Sequence, residues 1–221
     1  MSPNDGINFV KSVRLRSLIK RLGVQALPDD EWGDVVERPM RIWLSSKTHP
    51  QIIYSTNIEP LFKVRSDSLT AGKFVFVERK HLLCEPYLAR FLKHISVAQK
   101  SIFFLGDLSP YSLIAYLIFH ECMLSNNIYV KYMGLGGKWV CKMKESSKRN
   151  GDNLFEGIQI HMSQFEVLCF KELMRLDIDW DKLIGSESVA LLSASMKIEM
   201  EGAALYETRS PSVFHSILSE L

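Results

Sequence analysis

Residues 101–112 read SIFFLGDLSPYS: an apolar run stops on Gly106-Asp107 and gives way, after Leu108-Ser109-Pro110, to an apolar-periodic segment. Ser at an N-cap followed by Pro at the first helical position is a strong helix start. The stretch therefore predicts a strand over Ser101–Gly106 and a helix over Pro110–Leu124. Ser109 supplies the cap, which leaves Asp107 for other work. Working outward, Lys73–Glu78 (KFVFVE) and Asn127–Met133 (NIYVKYM) read as further short apolar strands, and His81–His94 as a helix between the first two. Apolar strands alternating with helices predict a mostly parallel, Rossmann-like sheet flanked by helices.

Further along, Phe155–Met162 is expected as another strand, with helices over Ser163–Leu176, Ser186–Tyr206 and Ser212–Leu221. The basic stretch Lys142–Gly151 (KMKESSKRNG) reads as a mobile loop. Upstream, residues 7–22 read as a helix, capped by Asn4 or Asp5 and stopped by Gly23. Its charged positions are Lys11, Arg14, Arg16, Lys20 and Arg21, with no acid among them. A helix of one charge sign is either a solvated face or a phosphate-contacting arm. Residues 24–38 are acidic and irregular, and Met40–Leu44 and Gln51–Tyr54 are short strand candidates. The chain thus divides into a small N-terminal α+β extension, residues 1–72, and an α/β domain, residues 73–221.

The bulk numbers set limits. The 221 residues are 47% hydrophobic and 24% charged, with a formal net charge of +2. That is the composition of an ordinary globular protein, and any basic surface is local. Cysteines 84, 122, 141 and 169 have no Cys-x-x-Cys spacing, which argues against a zinc ribbon or a thioredoxin-like motif. They read as reduced thiols of a cytoplasmic protein. The N-terminus lacks a signal-peptide apolar region, and the longest apolar stretch, Leu113–Phe119, is too short to span a bilayer. No membrane partner is expected.

In open α/β sheets, ligands bind at the carboxyl ends of the strands. Two of the predicted strands run into acids there, Glu78 and Asp107. Neighbouring carboxylates repel, and a divalent cation is a natural compensator. The alternatives are a helix-capping role for Asp107 and a surface ion pair of Glu78 with Arg79 or Lys80. Other constellations are weak. GLGG at 134–137 lacks the spacing of a dinucleotide fingerprint or P-loop and reads as a turn. There is no Gly-x-Ser-x-Gly elbow and no zincin motif.

Glu78 at the end of FVFVE, together with GDLSP after a later strand, resembles the Toprim domain found in primases, topoisomerases and old-family nucleases. The variant is most similar to the topoisomerase VI A-subunit class and to the nuclease subunit of Wadjet plasmid-defence systems, whose second motif reads Gly-Asp-x-Asp-Pro. YMGLG (132–136) resembles the end of the next strand and the Gly-Leu of that class. KIEMEGAAL (197–205) resembles an acidic helix near the end of the Wadjet nuclease domain. The resemblance covers roughly residues 73–206. It implies a Toprim-like fold and an Mg²⁺- or Mn²⁺-dependent nuclease acting on DNA, in a defence or chromosome-maintenance complex.

By position, Glu78 and Asp107 match the family's metal ligands, but Ser109 stands where the family has a further Asp. A neutral hydroxyl is a poorer ligand for a hard dication. Three arrangements remain open: a metal held by Glu78 and Asp107 alone, a substitute acid from Glu199 or Glu201, or a degenerate site. On a helix, Glu199 and Glu201 point about 200° apart, so only one can face the metal. The only tyrosine of the extension, Tyr54, reads as a packed strand residue, so water is the expected nucleophile. Lys80, Arg79 and the basic residues Lys142, Lys144, Lys148 and Arg149 are the candidate phosphate contacts. Without the long arms of larger relatives, a protein partner or self-association is expected to complete the DNA grip. The rival expectations are a non-catalytic DNA-binding or assembly subunit and a binding module for a small phosphorylated ligand.

Overall fold

The computed structural model describes residues 40–42, 51–53, 73–77, 101–124 and 128–203. The helices expected at 7–22, 81–94 and 212–221 lie outside the described residues. Strands β1 (Met40–Ile42) and β2 (Gln51–Ile53) pair antiparallel, with Arg41 opposite Ile52. Strands β3 (Lys73–Val77), β4 (Ser101–Leu105) and β5 (Val130–Tyr132) form a parallel sheet in the order β3-β4-β5. The expected parallel sheet is present, with the SIFFL strand at its centre. The described part of the chain is mixed α/β.

Helix α1 spans Pro110–Leu124, as the Ser-Pro signal predicts. Ser109 Oγ accepts from Ser112 N at 3.2 Å, the N-cap bond. α1 is buried on nearly every side, from Ser112 through Leu117 and again at Phe119 and His120. A helix with no polar face needs cover all round. It packs against β5 and against the later helix Gln164–Leu173. Rings tie it to the sheet: Phe104 lies 5.7 Å from Tyr116 and 5.8 Å from Phe119, and Tyr116 lies 5.1 Å from Tyr132, centroid to centroid. The Tyr116 hydroxyl donates to Val130 O at 3.2 Å, so its polar tip is satisfied inside the core.

Beyond β5 the structure corrects three expectations. The stretch expected as a loop at 142–151 is most of helix α2, Lys138–Asn150. Its buried residues Trp139, Val140, Met143 and Ser147 keep helical spacing, so the polar remainder is the solvent side of an amphipathic helix. Gly151, left-handed at φ +66°, ends it by donating to Lys148 O and Ser147 O. The strand expected over Phe155–Met162 is a helical turn, α3 (Leu154–Gly157), followed by strand β6 (Gln159–His161).

Helix α4 (Gln164–Leu173) lies within the expected span, opened by a capping box between Ser163 and Glu166. Helix α5 (Trp180–Ile184), capped by Asp179, falls outside every expected element. The long helix expected over Ser186–Tyr206 is in fact α6 (Ser186–Ser193), strand β7 (Met196–Ile198) and a helical turn beginning at residue 200. The sequence SASMKIEM contains no breaker, so local propensity favours continued helix. Tertiary pairing overrides it. Ser195 takes a left-handed φ of +62° and its carbonyl accepts from Met162 N at 2.8 Å. β7 then pairs antiparallel with β6.

The two sheets are joined at one residue. Leu108 pairs with Ile198, donating to its carbonyl at 2.9 Å and accepting from its N–H at 3.1 Å. No helix among the described residues is long and apolar enough to cross a membrane.

The α5–α6 junction meets the turn before α2 backbone to backbone. Gly185 has φ +83°, and a Cβ there would lie 2.5 Å from Gly137 Cα. Gly185→Ala is expected to destabilise the protein by about 2–4 kcal/mol, from backbone strain and overpacking together. A lowered urea midpoint at unchanged m-value would show it.

Candidate functional site at the carboxyl edge of the parallel sheet

Val77 pairs with Leu105 at the ends of β3 and β4. Glu78 comes directly after Val77, and Asp107 comes after Leu105 with one glycine between. Glu78, Lys80 and the basic residues Lys11, Arg14, Arg16, Lys20 and Arg21 lie outside the described residues.

Asp107 is held from two sides. Its backbone carbonyl accepts from the Tyr132 hydroxyl at 3.2 Å, and its Oδ1 accepts from Met200 N at 2.8 Å. Gly134 makes room for the first contact, since a Cβ there would lie 2.0 Å from the Tyr132 hydroxyl and 2.8 Å from Gly106 O. The second contact answers for a helix end: Met200 opens the turn whose first internal bond runs from Ala203 N to Glu199 O. The Asp107 carboxylate therefore caps the turn at 200, far away in sequence.

Glu199 and Glu201 do not share the helix expected for them. Glu199 sits between β7 and the turn, and Glu201 is exposed within the turn. The Glu199 carboxylate lies 3.0 Å from Lys197 Nζ. Lys197 also donates to Glu166 Oε1 at 2.8 Å, with both side chains largely buried. Burial works against both charges, yet the mutual bond wins. The Glu166 carboxyl is held below its ordinary value by hydrogen bonds from Lys197 and Ser163, and the Lys197 ammonium is held above its own by Glu166 and Glu199.

Tyr111, on the first turn of α1, is raised by burial and by the nearby Cys169 and Glu166.

The donor chemistry suits a hard dication in part. Asp107 offers an oriented oxygen ligand at a strand end, and Mg²⁺ is usually held by one or two carboxylates plus substrate phosphates. Ser109 Oγ is occupied by the α1 cap, Glu199 is paired with Lys197, and Glu201 lies in the solvent. No group of three or more His, Cys, Asp or Glu side chains able to hold a metal occurs among the described residues. Bound there, a dication would supply phosphate polarisation and a more acidic water.

GLGG at 134–137 is the turn the sequence implies. Three of its N–H groups are spent inside the protein: Leu135 donates to Gly106 O, Gly136 to Gly134 O at 2.6 Å, and Gly137 to Ile184 O and Ser188 Oγ. Of the basic residues expected in a loop, Lys142, Lys144, Lys148 and Arg149 all sit on α2. Lys144 is engaged by Glu187 at 2.7 Å. Sequence reasoning misses Lys138, exposed at the start of the same helix, because it misses that helix. It misses Lys197 because only the β7 pairing brings that residue to Glu166.

No family model, curated protein or solved structure matches this chain.

Asp107→Ala is expected to cost about 1–2 kcal/mol through the lost cap, whereas Asp107→Asn keeps an acceptor and stays within about 0.5 kcal/mol. Chemical denaturation of the two variants checks this. Lys197→Met, which strands the buried Glu166 carboxylate, is expected to cost about 3–5 kcal/mol. Glu166 contributes stability in full above its ordinary value of 4.5, and that contribution fades as pH falls through the lowered folded value. Denaturation midpoints measured from pH 6 down to pH 3 should therefore fall less steeply in Glu166→Gln than in wild type.

Proposed function

We propose that the protein is an Mg²⁺-dependent, Toprim-like nuclease that hydrolyses DNA phosphodiesters at the carboxyl edge of the parallel sheet. The register of β3 on β4 carries the reading. The two parallel strands run side by side to the same edge, Val77 opposite Leu105, and each leads within two residues to an acid, Glu78 or Asp107. Open α/β sheets bind ligands at such an edge. In this reading Glu78 and Asp107 hold the cation, Lys80 steadies a phosphate, and water is the nucleophile. Glu199 and Glu201 take no part, the first because Lys197 holds it and the second because it points to solvent. The resemblance of FVFVE and GDLSP to Toprim motifs supports the same assignment.

One observation favours a second reading, a non-hydrolytic DNA-binding or assembly subunit. Asp107 already has a structural task, the bond to Met200 N. The Ser in place of the family's further Asp points the same way. Both readings retain a protein partner or self-association.

The experiment is a cleavage assay on supercoiled plasmid with Mg²⁺ and then Mn²⁺, with Glu78→Gln and Asp107→Asn alongside. Nicking or linearisation by wild type, reduced at least about a hundredfold in each variant, is the expected outcome. Asp107→Asn is the telling variant because it keeps the cap and loses the ligand. Equal cleavage by wild type and Asp107→Asn would overturn the hydrolytic reading. So would inert wild type that also shows no heat of Mn²⁺ binding.

A further inference from the structure

We propose that the solvent face of α2 is the nucleic-acid grip of this protein, with Lys138, Lys142 and Lys148 contacting backbone phosphates. The whole chain has a formal charge of +2, yet α2 alone carries five cations against the single acid Glu145. The distribution is not uniform around the helix. Trp139, Val140, Met143 and Ser147 face the core. At about 100° per residue, Lys138, Lys142, Glu145 and Arg149 fall in one row on the opposite side, and Lys148 lies beside it. That row runs for roughly 16 Å.

Two of the cations sit in ion pairs of different worth. Lys144 bonds Glu187 of α6 at 2.7 Å and so ties α2 to its neighbour. Arg149 meets Glu145 only at 3.6 Å, with both side chains more than two-thirds exposed, a pair of little worth that a phosphate can replace. The row also starts in the right place. The turn leading into α2 is fixed to the end of β4 by Leu135 N donating to Gly106 O at 2.9 Å, next to Asp107. A strand of nucleic acid lying along α2 is thereby led to the carboxyl edge of the sheet.

The same geometry selects the partner. A membrane-surface helix needs an exposed apolar face, and the apolar face of α2 is already buried in the core. A protein partner would find no aromatic or aliphatic anchor in the row. A row of cations alone suits a ligand whose charges repeat and whose binding is electrostatic. The inference rests on the proposed function for the kind of partner and not for cleavage, so its test excludes metal.

The test is equilibrium binding of a labelled DNA duplex, and of a single strand, by the full chain in EDTA over a range of salt. Wild type should bind with log K falling linearly in log salt. Lys138→Glu/Lys142→Glu/Lys148→Glu should weaken binding more than about tenfold and make the slope shallower by about two to three. The neutral Gln triple should give the same change in slope, and guards against a folding defect in the charge-reversed chain. Lys171→Glu, a charge change on α4, should stay within about twofold of wild type at the same slope. An unchanged slope in both triples would overturn the inference, as would an equal loss in Lys171→Glu. Binding by wild type to anionic vesicles but to neither nucleic acid would overturn it too. If binding depends on α2 while cleavage and Mn²⁺ binding are absent, the grip stands and the hydrolytic reading falls. If cleavage depends on Asp107 while the α2 variants bind as wild type, the reverse holds.

Discussion

Helix α1 has almost no side to turn toward water. Its first turns are buried at every residue from Ser112 to Leu117, and Phe119 and Met123 are fully enclosed. Burying such a helix stabilises the protein by roughly 1.5–3 kcal/mol for each large side chain, but only if other elements cover it completely. The parallel sheet covers one side through Phe104, Val130 and Tyr132, and α4 covers another. Most of the remaining described architecture answers that need. The β6–β7 sheet, the capping box that opens α4 and the Lys197–Glu166 pair all serve to bring α4 and the chain beyond it onto α1.

Closure happens at the Asp107–Leu108 corner. Leu108 takes on Ile198 as a partner, and Asp107 reaches Met200 N two residues on. The same corner is the carboxyl edge of the sheet, the place where α/β proteins bind ligands. Asp107 thus combines two demands. A carboxylate has two oxygens and about four acceptor directions, so an N–H bond at Oδ1 is compatible with ligation by the same group. A bond to a rigid backbone also fixes the side chain's direction, as a metal site requires of its ligands. The structural task of Asp107 and the ligand task proposed for it separate chemically, because the first needs only an acceptor while the second needs the charge.

The elements legible in the sequence are those whose local signals agree with their tertiary surroundings. SIFFL and Ser109-Pro110 mark β4 and α1 without help from the rest of the chain. The strand at 196–198 is illegible for the opposite reason. Ser-Met-Lys-Ile-Glu-Met has good helical propensity, and only pairing with β6 and Leu108 makes it extended. Glu199 and Lys197 change meaning with it. The partner of Asp107 lies 93 residues further along the chain, a contact that no local pattern announces. Helix α2 is legible in principle, since Trp139, Val140, Met143 and Ser147 keep helical spacing. Its polar run and Gly151 hide it, and that glycine proves to be the helix's stop signal.

The reassignment of residues 142–150 from loop to helix changes what their charges can do. Cations on a mobile loop lose side-chain and backbone freedom when they bind, at roughly 1–2 kcal/mol per residue for the backbone alone. On α2 the backbone is already fixed, its apolar side is anchored in the core, and its start is locked where Gly137 donates to Ile184 O and Ser188 Oγ. The row of cations is therefore organised before any ligand arrives, so its electrostatic attraction is not spent on ordering the chain. The two glycines at the Gly137–Gly185 crossing make this possible, because any larger residue at 185 would push α2 away from α6 and move the row relative to Asp107. The proposed grip and the edge are in this way coupled through two backbone contacts, Leu135 N to Gly106 O and the Gly137–Gly185 crossing, and the direction of α2 is set by packing before electrostatics acts.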